Sequence, residues 1–123
     1  MKIIEAINKV DHLKFNTFSQ DDKVDWLSRL DHMVKTQIID THEGRENVAF
    51  TGYDEGTDLH TELLIPAPFD VAYLRWMEAQ IDYNNGEIDR YNISITMFNT
   101  EYEAFENWYR RNHMPVSKGR FVF

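Results

Sequence analysis

The chain has 123 residues and a mass of 14.7 kDa. That size fits one domain burying roughly two thirds of the surface its unfolded chain exposes, so a core needs no disulfide or metal to support it. The chain has no cysteine, which excludes thiol catalysis, iron–sulfur clusters, cysteine zinc sites and a disulfide framework. Twenty-one acids against 13 bases leave a net charge of −8, and diffuse attraction to nucleic acid or anionic membrane is not expected.

The opening Met1-Lys2-Ile3-Ile4-Glu5 lacks the apolar stretch of a signal peptide, and no apolar run nears the ~18 residues of a membrane span. A soluble chain made in a reducing cytoplasm is the expectation. Ile3, Ile4, Ile7 and Val10 predict a first helix of two to three turns, ending before His12 to Asn16. Ser19 followed by Asp22 supplies a cap oxygen and a first-turn acid. From there Trp26 or Leu27, Leu30, Met33 or Val34, and Ile38 recur at spacings of three and four, predicting a helix over about 20–39.

Charge marks the next segments. Residues 1–39 are neutral, whereas 40–62 hold seven acids against Arg45 alone and three of the five glycines. Residues 40–67 therefore read as a long acidic loop or extended segment. Within it, Thr61-Glu62-Leu63-Leu64-Ile65 runs into Pro66-Ala67-Pro68 as a short strand or extended arm, and Pro68 suits the first turn of a new helix. Phe69, Ala72, Tyr73, Trp76, Met77 and Ile81 make that helix apolar on more than one side, the mark of a well-buried element.

Asn84-Asn85-Gly86 reads as a helix end or turn. Beyond it Ile88, Tyr91, Ile95, Phe98, Tyr102, Phe105 and Tyr109 form a mainly aromatic seam, predicting a helix over about 87–112. The same register extends backward through Asn84, Ile81, Met77 and Leu74. One long helix through Gly86 and a helical hairpin thus both fit, since glycine inside a helix costs only ~1 kcal/mol against alanine. Met114-Pro115 ends the helix. From Arg110 onward the chain carries Arg110, Arg111, Lys118 and Arg120 with no acid, and closes on Phe121-Val122-Phe123. The fold class is mainly α: a single small domain over 1–123 of about four helices, a long acidic loop, and an extended basic C-terminal arm over 113–123.

Chemical motifs are sparse. His12, His32, His42, His60 and His113 form no His-x-x-x-His pair, and the Glu-x-x-His spacing of a di-iron bundle does not appear twice. Glu78 and Asp82, four apart on one helix face, with Glu87 and Asp89 following, invite an acid–base or divalent-ion reading, but a solvated face or pairing with Arg75 and Arg90 at helical offsets is the stronger expectation. No nucleophile elbow and no phosphate-cradling glycine loop is present. The feature left over is the arm, whose Arg110, Arg111, Lys118, Arg120, Phe121 and Phe123 pair positive charge with apolar anchors suited to an acidic surface on a neighbouring subunit or partner.

Several phrases carry a resemblance: Thr17-Phe18-Ser19-Gln20, Ile38-Ile39-Asp40-Thr41-His42-Glu43-Gly44, Thr61-Glu62-Leu63-Leu64-Ile65-Pro66-Ala67-Pro68-Phe69-Asp70, Glu78-Ala79-Gln80-Ile81-Asp82-Tyr83, Asn85-Gly86-Glu87-Ile88, Arg90-Tyr91-Asn92, Met97-Phe98-Asn99 and Arg111-Asn112-His113-Met114-Pro115. The chain resembles the head-tail connector (neck adaptor) proteins of tailed phages and prophages of Gram-positive bacteria. The resemblance implies a non-enzymatic, mainly helical subunit without cofactor or metal that forms a homo-oligomeric ring between portal and tail proteins. It implies transient passage of DNA without specific binding, no membrane, and residence in the bacterial host cytoplasm before the virion neck. Two other classes stand beside it: a small metal-dependent or nucleotide-directed enzyme using the carboxylates above, and a small phage-encoded regulatory binding protein.

Overall fold

The computed structural model describes residues 1–41 and 50–113. Four α-helices form among them: α1 (Ile3–Leu13), α2 (Gln20–Val34), α3 (Val71–Asn84) and α4 (Ile88–Asn112). Each begins for a local reason. The backbone N–H of Lys2 donates to Glu5, and the first amides of α1, those of Ile3 and Ile4, donate to the carbonyls of Thr61 and Leu59 in the long connection. The orphan donors of that helix end are thus satisfied by another part of the chain. At α2 the Ser19 hydroxyl accepts from the Asp22 amide at 3.1 Å while Asp22 accepts from the Ser19 amide, the reciprocal cap expected from the sequence.

Helix α1 runs on through His12 to Leu13, a turn further than its apolar residues alone predict. The helix expected over 20–39 keeps its apolar register, but Lys35–Ile39 are wound as a single π-helical turn that buries Ile38 and Ile39. Pro68 is not in the first turn of α3. Its peptide bond with Ala67 is cis, and a turn over 66–70 precedes the helix, which starts at Val71. The expected strand at 61–65 reduces to one antiparallel bridge between Lys2 and Glu62. Residues 42–49 and 114–123, which include His42, part of the acidic loop and Met114-Pro115, lie outside the described residues.

Gly86 decides between hairpin and continuous helix. Its φ of +74° is left-handed, a conformation that ends α3 and that glycine adopts without strain. The chain then reverses, and α4 packs back along α3 through aromatic contacts at three levels. Tyr83 meets Tyr91 near the turn at 5.5 Å, Trp76 meets Phe98 in the middle at 5.1 Å, and Phe69 meets Trp108 at the far end at 5.4 Å between ring centroids. The seam buries Phe98, Phe105 and Tyr109 but leaves its first member, Ile88, exposed.

Helix α3 is the central element, in contact with each of the other three. Its face toward α1 and α2 contributes Ala72, Tyr73, Met77 and Ile81 to a core with Ile3, Ile7, Val10, Leu27, Leu30 and Val34. Leu63 and Ile65 of the long connection close that core. Burial of these side chains, at roughly 1.5–3 kcal/mol for each large one, is the dominant stabilising term. The Trp76 indole N–H donates to the Trp26 carbonyl at 2.8 Å, fixing the depth at which α3 sits against α2.

Candidate assembly surfaces and the buried polar nodes

Two polar nodes organise the fold and hold both buried carboxylates found among the described residues. The first is Asp31, fully buried on α2. Its carboxylate accepts from the Tyr73 hydroxyl at 2.6 Å, the Leu64 amide at 3.1 Å and the Tyr53 hydroxyl, while Tyr73 accepts in turn from the Ile65 amide at 2.7 Å. Burial pushes the Asp31 carboxyl above its usual range in spite of these donors. Burial and the adjacent carboxylate push both tyrosine hydroxyls upward too, so they act as donors. The node fastens the connection over 53–65 to α2 and α3.

Close by, Gly52 turns the backbone at φ +87° against α2, where an added Cβ would lie 2.6 Å from His32 Nε2 and 2.8 Å from Ser28 Oγ. The Ser28 hydroxyl accepts from the Tyr53 amide at 3.0 Å. His32 and Tyr53 both pack edge-on against Phe50. These contacts give His32 a packing role beside the node.

The second node is Asp82 of α3, 1 % exposed. Lys14, at the C-terminal end of α1, grips both carboxylate oxygens at 2.7 and 2.8 Å, and the Ser94 hydroxyl of α4 donates at 2.8 Å. Glu78 is held by Arg75 at 2.8 Å and Glu87 by Arg90 at 3.0 Å, the helical pairings expected from the sequence. Of the four carboxylates considered for acid–base or divalent-ion work, Glu78, Asp82 and Glu87 each have a cationic partner, and Asp89 is exposed to solvent. Among the described residues no three histidine, aspartate or glutamate side chains gather in a group able to hold a metal ion. His12 and His60 are exposed, and His113 stacks on Tyr109 at 3.8 Å.

The arm predicted as an assembly contact is only partly within view. Arg110 and Arg111 are exposed on the last turn of α4, where Arg110 pairs with Glu106 at 2.9 Å. Lys118, Arg120, Phe121 and Phe123 lie outside the described residues. No helix among the described residues is long and apolar enough to cross a membrane.

The surface feature that the sequence did not disclose is where the exposed large apolar side chains lie. They are Leu13, Phe15, Tyr83, Ile88, Ile93 and Met97. They are distributed over three elements: Leu13 and Phe15 flank Lys14 at the end of α1, Tyr83 follows Asp82 on α3, and Ile88, Ile93 and Met97 lie on α4, the last two on the side turned away from its buried seam. Phe15 is 88 % exposed. Between α1 and α3, next to Leu13, an apolar depression of about 360 Å³ is lined by Asn8, Lys9, His12, Leu13 and Leu74. Spacing accounts for Ile93 and Met97, which fall on the face of α4 away from the Phe98 seam, but not for Ile88, which belongs to that seam and is exposed at the helix start. No protein-family model, curated protein or solved structure matches the chain.

Proposed function

We propose that the chain is a non-enzymatic structural subunit of a tailed phage or prophage. It is a head-tail connector protein that joins copies of itself into a ring between portal and tail. The observation that carries the proposal is the polarity of the subunit. Tyr83 and Ile88 stand exposed at the α3–α4 turn, whereas the basic segment begins at the opposite end of α4, where Trp108 packs between Phe69 and His113. A closed ring requires a head-to-tail contact between two different patches of each subunit, and two unlike ends meet that requirement.

Charge supports the same reading. Residues 40–62 and 63–109 each carry −6, and the helical body holds few cations that could grip phosphate. An acidic wall lets a duplex pass where a DNA reader would hold it. Residence in the host cytoplasm and then in the virion neck follows from the proposed role.

Light-scattering mass across a wide range of protein concentration, with and without the portal protein encoded by the same phage or prophage, tests the proposal. A ring-sized species, alone or only with portal, is the expected outcome. A subunit whose mass never responds to portal overturns it.

A further inference from the structure

We infer that the outer face of α4, the one turned away from α3, pairs antiparallel with the same face of a second copy, the two helices crossing at Thr100. The inference goes beyond the connector reading and does not rest on it. A contact between like faces closes at two copies, whereas a ring requires unlike patches.

The first observation is a second stripe on α4. Ile93, Met97, Thr100, Ala104 and Asn107 follow one another at spacings of four and three, the repeat of a helix seam, and all are exposed. They lie opposite Phe98, Phe105 and Tyr109, which the same helix buries. Of the nine exposed positions between Asn92 and Asn107, only Glu103 is charged. On α2, by contrast, four of the six exposed positions are charged: Asp21, Asp22, Asp25 and Arg29. A helix face meant for water carries charge, as that of α2 does. Thr96 and Thr100 donate their hydroxyls to the carbonyls of Asn92 at 2.7 Å and Thr96 at 3.2 Å. Covering the stripe therefore strands neither hydroxyl donor.

The second observation, charge at the two ends of the stripe, names the occupant. Asp89 and Arg111 are both exposed, and neither has an ion pair among the described residues. Each stands eleven residues from Thr100, about 17 Å along the axis in opposite directions. A second copy crossing antiparallel at Thr100 brings its Arg111 level with Asp89 and its Asp89 level with Arg111. One two-fold axis thus makes two opposite-charge contacts. A parallel copy would set Asp89 on Asp89 and Arg111 on Arg111, which repel. A face one helix wide and about 33 Å long is small for an interface, so the pair is weak and forms at high protein concentration.

Cross-linking of full-length protein tests the contact. The chain has no cysteine, so Thr100→Cys places a single thiol at the crossing point, where two copies meet at a disulfide's spacing. Under air oxidation it should link into pairs at least about tenfold faster than Thr17→Cys, which is exposed between α1 and α2. Light scattering reads three further variants, with circular dichroism to check that each stays helical. Ile93→Glu, at a site 63 % exposed, should weaken pairing at least about tenfold, because two copies of the side chain leave the contact. Asp89→Arg should weaken it about fivefold, and Asp89→Arg/Arg111→Asp should restore it. The double variant keeps the net charge of wild type, so its recovery reports the register and not overall attraction.

Linkage no faster at position 100 than at 17 overturns the inference, and so does a helical double variant as weak as Asp89→Arg. A wild type that stays at 14.7 kDa at every concentration overturns it too, and would mean that the chain's own C-terminal residues or portal cover the face. Linkage through Thr100 with no response to portal keeps the inference and removes the connector reading. Portal-dependent assembly of Ile93→Glu at wild-type strength, without linkage through Thr100, does the reverse.

Discussion

Asp31 is buried with no ion pair among the described residues, and its charge is met by three hydrogen-bond donors, two tyrosine hydroxyls and one amide, with a smaller contribution from the neighbouring His32. Its carboxyl nonetheless sits above the ordinary 3.8, because desolvation outweighs the three donors. The folded protein therefore holds this proton more tightly than the unfolded chain does. The stability Asp31 contributes is fully present below the unfolded value and is lost as pH rises through the folded one. Urea unfolding of wild type and Asp31→Asn, compared from about pH 4 to about pH 7, should show the wild type's margin shrinking as pH rises. A margin that grows would show that the donors outweigh burial. The sequence displays none of this, because Asp31 reads as one more polar residue of a helix whose partners lie 22, 33 and 42 positions away. Periodicity reports on neighbours three and four apart, and a buried polar hub is made of distant ones.

Among the elements, the Asp82 node joins α1, α3 and α4 at one point. Removing the cation strands a charge, and removing both partners does not, so the two changes must be strongly non-additive. Lys14→Met should cost about 3 kcal/mol or more by leaving Asp82 buried beside Ser94 alone, whereas Lys14→Met/Asp82→Leu should recover most of that loss. Denaturant midpoints of the three variants measure the coupling, and an additive double variant would show that the pair contributes little.

The helices themselves were legible, because Ser19 and Asp22 announce the start of α2 and spacings of three and four trace each buried face. The π-helical turn at Lys35–Ile39 was not, since an apolar stripe continues unbroken when one turn widens by a residue. At Gly86 the residue type left hairpin and continuous helix equal. What separates them is tertiary: Trp76 on Phe98 and Phe69 on Trp108 bury aromatic surface that a straight helix of the same residues would leave in water.

At the scale of the whole molecule, the proposed assembly draws on residues other than those that build the core. The last buried residue among those described is Tyr109, so the core that the described residues form reaches no further along α4. The charge map had already set the stretch from Arg110 onward apart, yet it could not show from which end of the subunit that stretch departs. The hairpin at Gly86 answers this, because it turns α4 back so that the basic segment begins near Phe69, at the end of α4 opposite the α3–α4 turn. Deleting residues 116–123 should therefore leave the helical circular-dichroism signal and the urea midpoint unchanged while light scattering shows assembly with portal weakened. Raising salt on the full chain should weaken assembly only in part, since screening acts on the arginine and lysine contribution and leaves the phenylalanine anchors in place. Loss of helical signal on truncation would sink the separation of roles, because it would make the segment part of the fold that it is here argued to link.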